Sequence, residues 1–193
     1  MNQPTPQSAQ PPRGDSRPGQ GGRPGAGGQQ RRRTKTRYGT QMAEKQQLKG
    51  IYNIREQKLR NYFKEAYRIR GATGEQLISL LERRLDNVVY RAGFAPTRAT
   101  ARQMVSHGFF QVNGKGVDVA SYRVRPNDVI TIKTGKRGKS HFANFPKSLQ
   151  NVNVPSWLAL NTDAYSVTVT GNPLADEAQV GVDIQAIVEF LSR

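Results

Sequence analysis

Arginine and lysine carry most of the chemistry available to this chain. They fall in groups: Arg31-Arg32-Arg33-Thr34-Lys35-Thr36-Arg37, then Arg83-Arg84, the i, i+4 pair Arg98 and Arg102, and Lys133, Lys136, Arg137 and Lys139. Guanidinium forks pair bidentately with phosphate, so clustered arginines suit a polyanion. Lys and Arg number 30 against 14 Asp and Glu, a formal net charge of +16. An excess this large points to a nucleic-acid partner. Other reactive types are scarce. Cysteine is absent, which excludes disulfides, thiolate zinc sites and cysteine nucleophiles. His107 and His141 lie far apart with no second metal ligand near either, so neither a zinc site nor a catalytic dyad is expected. His107, at a helix end, reads as a hydrogen-bonding partner of backbone or phosphate. The Gly-rich stretch 19–28 has no strand before it and no helix after it, so it is not a nucleotide loop. No cofactor, metal or small-molecule substrate is expected. No apolar run approaches bilayer length.

The charge is unevenly placed. Residues 1–40 hold 8 Lys/Arg and 1 Asp, residues 41–150 hold 21 and 8, and residues 151–193 hold 1 and 5. The surface for a polyanion therefore lies before residue 150, and the acidic end is expected to pack on the chain or on a protein. Residues 1–37 read as a disordered basic tail. Residues 1–40 contain eight of the 19 Gly and six of the 11 Pro, with too few apolar side chains to offset the entropy of ordering. The Arg31–Arg37 run makes the tail a flexible arm for a phosphate backbone. A mitochondrial transit peptide is disfavoured, because Pro and Gly at this density prevent an amphipathic helix.

The elements that must position these cations follow from periodicity. Residues 41–70 read as helical, with Leu48, Ile51 and Tyr52 as one apolar set and Leu59, Tyr62, Phe63 and Ala66 as another; Gly50 is the expected break or bend. The opposite faces carry Lys45, Lys49, Arg55, Lys58, Arg60, Lys64, Arg68 and Arg70, which Glu44, Glu56 and Glu65 are too few to pair. Residues 74–92 read as one helix. Thr73 and Gln76 form a capping-box pair, Leu77, Leu81, Leu85, Val88 and Ala92 form the seam, and Gly93 stops it. A second helix is capped by Thr97 and stops at Gly108. The period then changes to two. Asn113-Gly114 signals a hairpin, Arg125–Asp128 a turn, and Val129–Ile132 a strand. Residues 140–155 read as irregular and 165–170 as a strand. Asp183 caps an expected last helix with Ile184, Ile187, Val188 and Leu191 inward; a period-two reading of the same segment competes.

Two helices, a small sheet and arginines along one face make a coherent RNA-binding surface, read mostly through backbone and shape. The candidate contacts are Arg31, Arg32, Arg33, Lys35, Arg37, Lys45, Arg60, Arg83, Arg84, Arg91, Thr97, Arg98, Arg102, His107, Lys115, Arg123, Lys136 and Arg137. One enzymatic alternative exists. Arg84-Leu85-Asp86 matches the R-L-D of some pseudouridine synthases, whose Asp is the nucleophile. Asp86 is expected mid-helix as a structural carboxylate, and nothing like a separate catalytic domain remains, so a non-enzymatic protein is expected.

Larger motifs bring a resemblance. The run Leu80-Leu81-Glu82-Arg83-Arg84-Leu85-Asp86-Asn87-Val88-Val89-Tyr90-Arg91, with Gly93-Phe94, Thr97-Arg98, Ala101-Arg102-Gln103, His107, Val112-Asn113-Gly114 and Ser121-Tyr122, closely resembles the family of small-ribosomal-subunit protein four. The likeness extends upstream through Tyr38-Gly39, Ile51-Tyr52 and Arg60-Asn61-Tyr62, and downstream through Pro155-Ser156-Trp157-Leu158 and residues 187–193. The resemblance implies an α+β fold: a mainly helical domain, 38–80 completed by 146–193, with an inserted α-L RNA-binding module at 81–145. In that module two helices pack on a small antiparallel sheet. The resemblance also implies binding at a helical junction in the 5′ domain of small-subunit rRNA, early in assembly. Contact with small-subunit protein five, proximity to mRNA where it enters the subunit, a share in decoding accuracy, and a cytoplasmic place in the ribosome come with it. The four-cysteine zinc segment of some family members is missing; the Pro/Gly/Gln tail stands there.

Overall fold

A computed structural model describes residues 36–139, 142 and 153–193. The expected tail, with Arg31, Arg32, Arg33 and Lys35, lies outside the described residues, as do His141 and most of 140–155. Described structure begins at Thr36, whose hydroxyl accepts from the Gly39 amide and caps helix α1, Arg37–Tyr52. Arg37 therefore belongs to a helix and not to the tail.

α1 runs straight through Gly50 and stops at Asn53, which takes a left-handed φ of 49°. Helix α2, Glu56–Arg68, buries Leu59, Tyr62, Phe63 and Ala66. The helix expected over 74–92 is two helices. α3 spans Thr73–Glu82 and α4 spans Leu85–Arg91. Between them Arg84 is extended and pairs with Arg123 in an isolated β-bridge. The Val124 amide donates to the Arg83 carbonyl, and the Leu85 amide donates to the Tyr122 carbonyl. Those long-range bonds take the backbone out of the helical ladder, which no local pattern announces. The expected capping box is also absent: Ala72 occupies the cap, with no side-chain bond. Helix α5, Arg98–Ser106, starts as expected at Thr97, which accepts from the Thr100 amide.

Five antiparallel strands follow: β1 Phe110–Val112, β2 Lys115–Val117, β3 Val129–Ile132, β4 Leu158–Asn161 and β5 Ser166–Val169. Their order is β2-β1-β3-β5-β4. Asn113 and Gly114 both have positive φ, 50° and 78°, as a two-residue hairpin of this hand requires. Helix α6, Ile184–Leu191, is capped by Asp183, so the helical period wins over the alternating one.

Two apolar clusters form. One joins α4 and α5 to the sheet and includes Phe94, Phe110, Ile130, Val167 and Val169. The other joins α1, α2, α3 and α6 through Leu48, Leu59, Leu77, Ile78, Leu81 and Ile187. Trp157 and Leu158, expected in the helical core, belong to the sheet cluster instead, because β4 and β5 extend the sheet. Of the acidic end, Ile187 is buried in the helical core, with Ile184, Val188 and Leu191 packed beside it. Among the described residues no helix is long and apolar enough to cross a membrane.

Candidate nucleic-acid interface

The three carboxylates that the sequence offers to the basic helices have all found partners. Glu56 alone holds three cations: Lys45 at 2.8 Å, Lys49 at 3.0 Å and Arg60 at 3.4 Å. Burial pushes the Glu56 carboxyl up, but hydrogen bonds from Lys45 and Lys49 and their charges prevail and bring it to about 2. Glu65 takes both ends of Arg123, at 2.5 and 2.8 Å. The hydrogen bond from Arg123 holds the Glu65 carboxyl below its usual value against the opposing effect of burial. Glu44 accepts from the Asp183 amide. What remains on and beside α2 is Arg55, Lys58, Lys64, Arg68 and Arg70, all exposed and without an ion pair among the described residues. Lys64 and Arg68 are one helical turn apart, opposite the face that Leu59, Phe63 and Ala66 bury.

Several expected contacts are internal braces. Arg84 is only 2 % exposed; it grips Asp86 with two bonds, 3.0 and 2.6 Å, and donates to the Tyr62 hydroxyl. Asp86 lies in the first turn of α4, not mid-helix, and is 4 % exposed; it also accepts from the Asn87 amide and lies 3.5 Å from Arg102. A carboxylate so enclosed serves the fold. Arg91 donates twice to Glu82, at 2.9 Å each, and once to the Ala178 carbonyl. Lys45 is 5 % exposed, with its ammonium 4.7 Å from the Phe190 ring centre. Arg84, Arg91 and Lys45 are thus turned inward, each folded against a carboxylate: Asp86 two positions on for Arg84, Glu82 nine positions back for Arg91 and Glu56 eleven positions on for Lys45.

Other expected residues keep an outward edge. Arg83 is half-buried and donates to the Val124 carbonyl. Burial and the neighbouring Arg123 and Arg125 cations push its guanidinium below its usual value. Arginine remains protonated at neutral pH, and the Asp128 and Glu65 charges work against that shift. Arg125 is exposed and was read only as a turn residue; its place before Pro126 was the one available signal. Arg98 and Arg102 are half-buried; Arg98 donates to Asn87 at 2.7 Å, and Arg102 donates to the Asn53 carbonyl. Thr97 is exposed at the start of α5.

A second basic area surrounds β1 and β2. His107 and Lys115 are exposed, and the Lys133 ammonium lies over Gly108 and Gly116. Lys136 sits 5.0 Å from the Phe109 ring centre. Arg137 spends its donors on the Ile132 and Ala164 carbonyls. Lys133, which follows β3 and precedes Lys136 and Arg137 by three and four positions, joins the expected contacts Lys136 and Arg137 because the turn after the strand brings its ammonium over β2. Arg37 pairs with Glu189 at 2.7 Å. The acidic end, expected to pack on the chain or on a protein, spends part of its charge internally: Glu189 also accepts from Gln41, and Glu177 accepts from the Ser156 amide and hydroxyl. Among the described residues no group of acids and histidines is arranged to hold a metal.

Known proteins match this amino-acid sequence. A family model described as the ribosomal protein S4/S9 N-terminal domain matches residues 17–82, and one described as the S4 domain matches residues 83–130. The two meet where α3 ends and the chain breaks toward α4. The small ribosomal subunit protein uS4 of Chloroflexus aurantiacus is 46% identical over 165 residues, 84% of this chain and 80% of that protein. The chain belongs to the uS4 family. Family relatives in Roseiflexus castenholzii and a Thermoanaerobacter species are 45% and 43% identical, over 84% and 85% of this chain and 80% and 79% of theirs. In this uS4-family chain the S4 domain is α4, α5 and the first three strands, and β4 and β5 widen its sheet beyond the matched residues.

Proposed function

We propose that the chain is a primary rRNA-binding protein of the small ribosomal subunit, bound at a helical junction of the 5′ domain and acting early in assembly of the subunit body. The observation that carries this reading is the set of exposed cations Arg55, Lys58, Lys64, Arg68 and Arg70, which have no ion pair among the described residues. Glu56 and Glu65 are already taken up by Lys45, Lys49, Arg60 and Arg123, so phosphate is the natural counter-charge for the cations left over. Lys115, Lys133, Lys136 and His107 supply a second contact area, and Arg31, Arg32, Arg33 and Lys35 add a basic arm for the phosphate backbone. The acidic end, with Asp176 still exposed, faces small-subunit protein five. Through that contact and proximity to mRNA the protein contributes to translational accuracy, in the cytoplasmic ribosome.

The test is binding to bare 5′-domain rRNA across a salt series. Lys64→Ala with Arg68→Ala should weaken binding and flatten the slope of log K against log salt by about 0.7–0.9 per lost contact. Arg84→Lys, a change at a buried brace, should leave that slope alone. Unchanged affinity and slope in the double variant would sink the assignment of α2.

A further inference from the structure

A cleft of 460 Å³ opens between the last turn of α1 and the start of α5, walled by Gly50, Ile51, Tyr90, Pro96, Thr97 and Arg98. We propose that this cleft receives one unstacked nucleotide of the bound RNA, its base against Ile51, Tyr90 and Pro96 and its phosphate toward Arg98. The inference rests on the rRNA-binding reading and adds a specific pocket to it.

The volume falls within the range of about 300–1,000 Å³ typical of small-ligand sites. Ile51, Tyr90, Pro96 and Ala99 line the cleft with apolar surface and no acidic residue lines it, so it suits a ring joined to an anion and repels neither part. Arg98 is fixed before any ligand arrives. Its guanidinium carbon lies 4.4 Å from the Tyr90 ring centre and 5.0 Å from that of Tyr52. Its Nε donates to Asn87, and its Nη2 lies 3.9 Å from Glu82. The Nη1 edge has no partner among the described residues. A cation so braced pays little ordering entropy on meeting a phosphate. RNA is recognised where bases leave the stack and lie on aromatic or apolar walls, and Ile51, Tyr90 and Pro96 give this cleft such walls.

Gly50 keeps the cleft open. Glycine lowers helix stability at an exposed position of a last turn, yet a Cβ built there meets nothing within 4 Å. The fold therefore tolerates a side chain at this position, and only an occupant of the cleft would not.

That tolerance supplies the experiment. Wild-type chain, Gly50→Ala and Gly50→Leu are bound to bare bacterial 5′-domain rRNA, with chemical probing of base edges in each complex and thermal unfolding of each protein as a control. All three should unfold alike or with the variants higher. Wild type should protect an unpaired base that Gly50→Leu leaves reactive, with affinity down by about tenfold, the scale of one lost stacked base. Gly50→Ala, too short to fill the space, should keep both the affinity and the protection. Gly50→Leu binding with wild-type affinity and footprint would overturn the proposal and leave the cleft to a protein ligand. Weakened binding with no base regaining reactivity would overturn it too, since the cleft would then touch backbone alone. Failure of the wild type to bind the rRNA at all would instead strike the broader reading given above.

Discussion

The Glu82 carboxylate, 1 % exposed, gathers more of this molecule than any cation does. It accepts from the Tyr52 hydroxyl at 2.5 Å, from the Asn87 amide group at 2.8 Å and twice from Arg91. Burial pushes the Tyr52 hydroxyl well above its usual value, and the Glu82 charge adds to that, so the tyrosine stays a donor. Removing one member of such a set strands the others without water. Glu82→Ala should cost about 3–5 kcal/mol, read from the urea midpoint; a loss near zero would show that Arg91 finds solvent. Glu56 makes a prediction about acid. Its folded value is about 2 against 4.5 for the free group. A depressed carboxyl stabilises the fold fully above about pH 4.5 and loses that contribution as pH falls toward 2. Glu56→Gln should therefore unfold with a shallower pH dependence across that window and converge with wild type at its acid end. Equal slopes would mean that Lys45 and Lys49 do not hold it in solution.

Between the elements, α3 approaches α6 closely at Gly74. A Cβ on Gly74 would lie 2.6 Å from Ile184 Cγ2, a branched atom with little freedom to move. Gly74→Ala should thus destabilise by about 1–3 kcal/mol although alanine is the better helix former. A stabilised variant would show that α6 slides at no cost. Two local caps were legible, Thr97 and Asp183, which cap α5 and α6 through amides three residues on, whereas the equally local Thr73 and Gln76 form no cap because α3 starts one residue earlier, with Ala72 at its cap. Asn113-Gly114, also local, was legible too. The break at Arg83-Arg84 was not, because residues 120–124 impose it from more than thirty positions away.

At the scale of the whole molecule, the chain from Lys35 onward makes one compact unit with two cores. The acidic end is divided between them: β4 and β5 go to the sheet, and α6 goes to the helices. Ile187→Ala should cost about 2–5 kcal/mol. In native-state hydrogen exchange its effect should fall on amides of α1, α2 and α3 more than on those of β1, β3 and β5. A uniform loss of protection would show that the two cores unfold as one. Trp157→Ala should give the reverse pattern, since its ring lies in the sheet cluster.

The sequence by itself determined the cationic excess, the lack of thiol chemistry, the amphipathic helices, the hairpin and, through its motifs, the family. Each of these is a property of composition or of neighbours a few positions apart, where the backbone period turns spacing directly into a shared face. Only the tertiary structure decided which charges are spent. Arg37 and Glu189 are 152 positions apart, Arg123 and Glu65 are 58, and Arg91 and the Ala178 carbonyl are 87. A net charge counts cations, whereas an interface consists of those left unpaired, and pairing is set by which elements the hydrophobic cores bring together. That is why Arg84, Arg91 and Lys45, legible as basic, are braces, and why Lys64 and Arg68 emerge as the exposed face.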